Sequence, residues 1–210
     1  MTTAALTVDS TKPLPLFPLR TVLFPGGRVT LKVFEARYLD LISSCLRERQ
    51  PFGVVCLLQG SEVRQAGAAT RFESTGVLAQ LVEVDAIGAG VLKVRCTGGQ
   101  RFQWASVHEG SDGLWSAQGL VLLPNDEAQA PGERFDDAVQ ALQRAYAAIS
   151  QRPDADLPDE HHFDDAGWVA NRWCELLPVP MAARQQLMAL PDPLQRLALV
   201  DEFLRGKQLI

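Results

Sequence analysis

Lysine and histidine are scarce in this chain, and each shortage narrows the chemistry on offer. Its lysines are Lys12, Lys32, Lys93 and Lys207, and no G-x-x-x-x-G-K-[ST] loop occurs, so the phosphate cradle of that motif is absent. Its histidines are His108, His161 and His162. No C-x-x-C pair is present, and no G-x-S-x-G elbow frames Ser43, Ser44 or Ser106 as a nucleophile. No window approaches the ~20 apolar residues needed to span a bilayer. The Met1–Asp9 segment lacks a basic start and an apolar core, so it does not read as a signal peptide. A net charge of -5 and a pI of about 5.2 argue against DNA and anionic membrane as partners.

What remains is an ordinary globular composition, 47% hydrophobic and 21% charged over 210 residues, enough for a proper core in one domain or two small ones. The charge is unevenly spread. Residues 1–125 hold 12 Lys+Arg against 10 Asp+Glu, and residues 126–210 hold 8 against 15. The shift falls in a polar, turn-rich stretch at 123–132, which reads as a linker between a 1–125 lobe and an acidic 126–210 lobe. Cys45, Cys56, Cys96 and Cys174 are widely spaced among apolar neighbours and read as buried thiols in a reducing, cytoplasmic setting.

The first lobe has the grammar of strands. Val29–Val33 alternates apolar and polar residues, Phe52–Leu58 is a short apolar run, and Gly76–Val84, Val91–Cys96, Arg101–His108 and Leu114–Leu122 follow between glycine-rich turns at 88–90, 98–99 and 110–113. One helix interrupts them, from Glu35 to Pro51, with Tyr38, Leu39, Ile42 and Leu46 at helical spacing. After the linker four helices are predicted: Phe135–Ile149, Asp165–Leu177, Met181–Leu190, and one that opens on Asp192 as N-cap with Pro193 at the first helical position.

Several residues invite a functional reading. Prolines 13, 15, 18 and 25 punctuate a strongly apolar ribbon, which reads as extended chain along a sheet edge because proline cannot donate to a ladder. Leu16, Phe17 and Phe24 in this ribbon either border a groove for extended polypeptide or are buried in the barrel; both readings stand. His161 and His162 lie among Asp159, Glu160, Asp164 and Asp165, but adjacent histidines rarely converge on one ion, so this segment reads as a solvated loop and no metal or cofactor is expected. Gly88-Ala89-Gly90 and Gly98-Gly99 read as hairpin turns. Glu35 and Arg37 read as a local ion pair, and Trp168 and Trp173 as helical core.

The chain resembles a known family at several ordered points. Leu14-Pro15-Leu16-Phe17-Pro18-Leu19, Val22-Leu23-Phe24-Pro25-Gly26 and Phe34-Glu35-Ala36-Arg37-Tyr38 are similar to the opening of the Lon-protease N-terminal, or substrate-binding, domain. The similarity continues through Phe52-Gly53-Val54-Val55, Gly76 and Gly99-Gln100-Arg101-Phe102, and then through Leu176-Leu177-Pro178, Arg184-Gln185 and Asp192-Pro193-Leu194-Gln195-Arg196-Leu197. The resemblance implies an α+β fold: a PUA-like β pseudo-barrel with one inserted helix, followed by a small α-helical bundle. In the protease this region helps to engage substrates and to assemble the hexamer. The resemblance implies recognition of unfolded or extended polypeptide. Because the chain departs from the protease in having no phosphate loop and no lysine in a setting like the protease site, it is expected to be a stand-alone, non-enzymatic module, an adaptor or weak holdase in protein quality control. It leaves self-association open. The alternative is RNA binding, common among PUA-like domains, should Arg20, Arg28, Arg95 and Arg101 cluster in space.

Overall fold

The computed structural model describes residues 8, 12–62 and 69–210; most of Met1–Asp9 lies outside them. Among the described residues are nine strands and five α-helices, with a single 3-10 turn at Glu133–Phe135. The fold is α+β. Two compact units divide the chain. The first takes residues up to Leu23 and Val29–Leu123; the second takes Pro124–Ile210 together with Phe24–Arg28. That short segment, assigned by the sequence to the first lobe, groups with the helices.

The first unit is one mixed sheet with an inserted helix. In sequence order its strands are β1 (Leu14–Leu19), β2 (Arg28–Val33), β3 (Phe52–Gln59), β4 (Arg71–Phe72), β5 (Thr75–Gly88), β6 (Val91–Gln103), β7 (Ser106–Glu109), β8 (Trp115–Gln118) and β9 (Val121–Leu122). Their spatial order is β2-β6-β5-β3-β1-β8-β7, with β4 on β3 and β9 on β6. β1 runs parallel to β3, and the β1–β8, β3–β5, β5–β6 and β7–β8 ladders are antiparallel.

Two expectations fail here for physical reasons. β1 is an interior strand, not an edge. Its ladder to β8 covers Leu14–Leu16 and its ladder to β3 covers Leu16–Leu19. Pro15 therefore lies outside one ladder and Pro18 outside the other, and a staggered strand of this kind loses least by a missing N–H. The second correction concerns Gly98-Gly99, which does not turn the chain. Both glycines lie within β6, where the register to β5 slips between Val77↔Arg101 and Ala79↔Gly98, so the pair marks a β-bulge. Leu114–Leu122 is cut into β8 and β9 at Gly119, whose φ of 65° belongs to the left-handed region that glycine enters freely.

β1 is buried on both faces, which explains its nearly continuous apolar sequence. Leu14 and Leu16 point into a cluster with Val55, Leu78, Phe102 and Ala117. Phe17, on the opposite face, stacks on Tyr38 of α1 (Ala36–Glu48), with ring centroids 4.0 Å apart. The buried residues of α1 are Arg37, Tyr38, Leu41, Ile42 and Cys45, so Tyr38 and Ile42 are buried as predicted, Leu39 is half-buried and Leu46 faces solvent.

The second unit contains α2 (Asp136–Ile149), α3 (Ala166–Leu176), α4 (Met181–Ala189) and α5 (Pro193–Gly206). The Asp165 and Asp192 side chains cap α3 and α5 by accepting from Trp168 N and Gln195 N, at 2.6 and 3.0 Å. Trp168 and Trp173 are core residues, as predicted, and Trp173 Nε1 donates to Ala138 O at 3.0 Å. No helix among the described residues is long and apolar enough to cross a membrane.

Candidate functional site

A cleft of about 400 Å³ opens in the first unit where β1, β2 and the start of α1 meet. Phe17 and Leu19 come from β1 and Tyr38 from α1. Every residue from Val29 to Glu35 also lines it, with Thr21 and Glu62. The stacked Phe17 and Tyr38 rings give one wall an aromatic face. Phe34, 52% exposed, stands beside it as a large apolar side chain in water.

One arginine holds this corner together. Arg37 is only 8% exposed, yet its guanidinium reaches three segments. Nη2 pairs with Glu35 Oε2 at 3.0 Å, Nη1 donates to Gly113 O at 2.6 Å in the β7–β8 turn, and Nη2 approaches Glu62 O at 3.4 Å. It also lies 4.4 Å from the centroid of the Tyr38 ring. The predicted Glu35–Arg37 pair is thus present, and it belongs to a buried network that ties the start of α1 to the β7–β8 turn and to Glu62, beyond the end of β3. Burial pushes the Tyr38 phenol up to about 12; Arg37 pulls it down, while Glu35, Glu62 and Glu109 push it up.

The predicted site residues are placed as follows. Leu16 and Phe24 are fully buried and Phe17 is 6% exposed, so they do not form a surface ribbon. Of the three, Phe17 lines the cleft. Phe24 belongs to the second unit with the turn that follows it. There Gly27 N donates to Phe24 O at 2.9 Å, and fully buried Arg172 donates from Nη2 to Pro25 O at 2.9 Å. A Cβ on Gly27 would stand 2.0 Å from Glu175 Oε1 and 3.0 Å from Phe24 O, so a larger residue here would have to displace the Glu175 carboxylate and crowd the turn. Burial pushes the Glu175 carboxyl up to about 7, against the pull of Arg172 and Arg184.

Other candidates also find their places. His161 packs edge-on against Tyr146, at 5.2 Å between ring centroids, in a cluster with Phe163 and Trp168. Among the described residues no group of three or more His, Cys, Asp or Glu is arranged to hold a metal ion. The four cysteines are free and buried, and burial pushes their thiols up to about 11 (Cys45, Cys56) or 12 (Cys96, Cys174). The arginines named for RNA are engaged within the protein. Arg20 donates to Gly60 O, Arg28 pairs with Asp156 and Asp159, Arg95 pairs with Glu83, and Arg101 is 3% exposed.

The sequence profile of the ATP-dependent protease La (LON) substrate-binding domain matches residues 13–206. The chain belongs to the Lon substrate-binding domain family. Relatives of this Lon-type chain include Lon protease 2 of Myxococcus xanthus, 25% identical over 204 residues, and Lon protease of Anaeromyxobacter dehalogenans (strain 2CP-C), 26% identical over 207 residues. Those alignments take in 96% and 94% of this chain but only 24% and 23% of the relatives, so the chain spans about a quarter of their length. Among solved structures, a Lon N-terminal domain protein from Xanthomonas campestris is 28% identical with a TM-score of 0.70, covering 90% of this chain and 96% of that one. The N-terminal domain of Mycobacterium avium complex Lon protease shares the fold at 18% identity and a TM-score of 0.58, covering 91% and 97%.

Sequence reasoning missed the charged residues that organise this Lon-type fold. Arg196 and Asp201 occupy the buried stripe of α5 with Leu197, Val200 and Leu204. Their signal was available: a charge at a stripe position must be paired if the helix is real.

Proposed function

We propose that the chain binds extended or unfolded polypeptide in the β1–β2–α1 cleft without altering it chemically, as an adaptor or holdase in protein quality control. The observation that carries this reading is the cleft itself, which joins a strand edge to a stacked aromatic wall and an exposed Phe34. Membership in a family described as substrate-binding supports it, as does the matching of the chain to the N-terminal part of Lon proteases. Unfolded segments present both apolar side chains and unpaired backbone groups, and a site of this composition can take both.

The test is a comparison of one client in two states. A small disulfide-bonded protein is offered to the purified chain either native or reduced and carboxymethylated, and binding is followed by fluorescence anisotropy. Saturable binding of the unfolded form alone is the expected result. Equal binding of both forms, or of neither, overturns the reading.

A further inference from the structure

The pattern of residues around the cleft carries information about how a client would lie in it. Successive side chains of a strand point to opposite faces, so a cleft on one face of β2 would be lined by every second residue. This cleft is lined by each residue in turn from Val29 to Glu35. It therefore runs along the backbone edge of the strand. β2 is also the terminal strand of the sheet order, and among the described residues no further strand lies beyond it. A terminal strand of six residues presents an edge about 20 Å long, with outward N–H and C=O groups at alternate positions. Lys32, next to the last residue of that strand, is a charge of the kind that discourages indiscriminate pairing.

We propose that the client adds to the sheet as an extra strand along β2, with apolar side chains against the Phe17–Tyr38 wall and a basic residue at the Glu35–Glu62 end. This rests on the polypeptide-binding reading above and specifies its geometry. Backbone pairing supplies affinity that is independent of client sequence, as a module serving many clients requires. The aromatic wall sets which face of the client must be apolar, because a slip of one residue would turn that face away. The basic preference is local to one end, where Glu35 and Glu62 both line the cleft; Lys32 is the cation in its lining, and Arg37 is buried and paired with Glu35 at 3.0 Å.

The experiment uses a fluorescent ten-residue peptide alternating Phe and Ser, with Lys at each end, in three forms. One is unmodified, one is N-methylated on the Phe residues and one on the Ser residues, so that each modified form loses the N–H groups of one edge while keeping every side chain. The unfolded client of the preceding test is measured alongside. The expected result is that one methylated form loses affinity by about tenfold or more while the other stays within about threefold of the parent. Amide exchange should slow at alternate residues of Val29–Phe34 in the complex with the parent peptide. Equal retention or equal loss in the two methylated forms, or failure of the parent peptide to bind while the unfolded client binds, overturns strand addition and leaves the polypeptide-binding reading in place. Failure of both peptide and client overturns both.

Discussion

Arg196 and Asp126 form a bidentate ion pair, Nη1 to Oδ2 at 2.7 Å and Nη2 to Oδ1 at 3.3 Å, between α5 and the segment that leads into the helical unit. The arginine has no exposed surface. Its remaining donors are also used: Nε donates to Leu187 O at 2.9 Å, Nη1 to Asn171 Oδ1 at 3.0 Å, and Nη2 to Leu190 O. One side chain thus ties α5 to α3, to the end of α4 and to the linker. Removing one partner of a buried pair leaves the other charge without solvation, the costly case for such interactions.

Arg196→Ala should therefore destabilise the helical unit by about 3–5 kcal/mol, measured by urea unfolding with tryptophan fluorescence and circular dichroism. Arg196→Lys keeps the charge but lacks the planar fork, so it should recover less than half of that loss. Asp126→Asn retains one acceptor oxygen and should cost about 1–3 kcal/mol. A lysine variant as stable as the parent would show that the charge alone matters.

The turn at Phe24–Arg28 gives a second test, one of close approach. Gly27→Ala places a Cβ 2.0 Å from Glu175 Oε1 and 3.0 Å from Phe24 O, so the carboxylate must move and the turn must shift. A loss of about 1–3 kcal/mol is expected. Gly26→Ala meets nothing within 4 Å but must hold a φ of 71°, so its cost should stay near about 1 kcal/mol. Combining Gly27→Ala with Glu175→Ala should restore part of the loss, a coupling visible in a double-mutant cycle.

Glu175 also makes stability depend on pH in an unusual direction. Its folded value of about 7 lies above the ordinary 4.5, so between these two pH values the folded chain holds a proton that the unfolded chain has released. Stability from this group is present below pH 4.5 and is lost as pH rises through about 7. Glu175→Gln should remove the dependence, so that as pH rises from 5 to 8 the variant loses on the order of 2 kcal/mol less than the parent. Thermal melts of both proteins across that range give the comparison; parallel curves would place the carboxyl in its ordinary range.

These tests fall on residues that differ in how far the sequence foretold them. Periodicity gave α3 nearly to the residue, and the Asp192 cap with Pro193 gave the start of α5, because both signals follow local rules that need no tertiary context. The prolines of β1 misled for the opposite reason. Whether Pro15 or Pro18 costs a hydrogen bond depends on where the β3 and β8 ladders stop, and that is fixed by partners more than 30 residues away. Gly98-Gly99 is similar, since a glycine pair reads as a turn until the opposing strand shows the slip in register. The cleft was only half legible. Phe17 was named from its apolar ribbon, whereas Tyr38, Glu62 and the edge of β2 join it only through the sheet order.

The burial of the named ribbon decides which substitutions can test binding. Phe24 is fully buried, so Phe24→Ser should cost about 3–5 kcal/mol, and any loss of client binding would report unfolding. Phe17→Ser suffers from the same ambiguity, because its ring is also stacked on Tyr38 and lies 6.0 Å from Phe52. Phe34 separates the two effects. Half of its surface is already in water, so Phe34→Ser should leave the unfolding midpoint nearly unchanged, within about 0.5 kcal/mol. If the cleft holds clients, covering that ring contributes on the order of 1–2 kcal/mol, and its removal should weaken binding of an unfolded protein by about tenfold. A Phe34→Ser variant that unfolds normally and binds normally would move the client site away from β2.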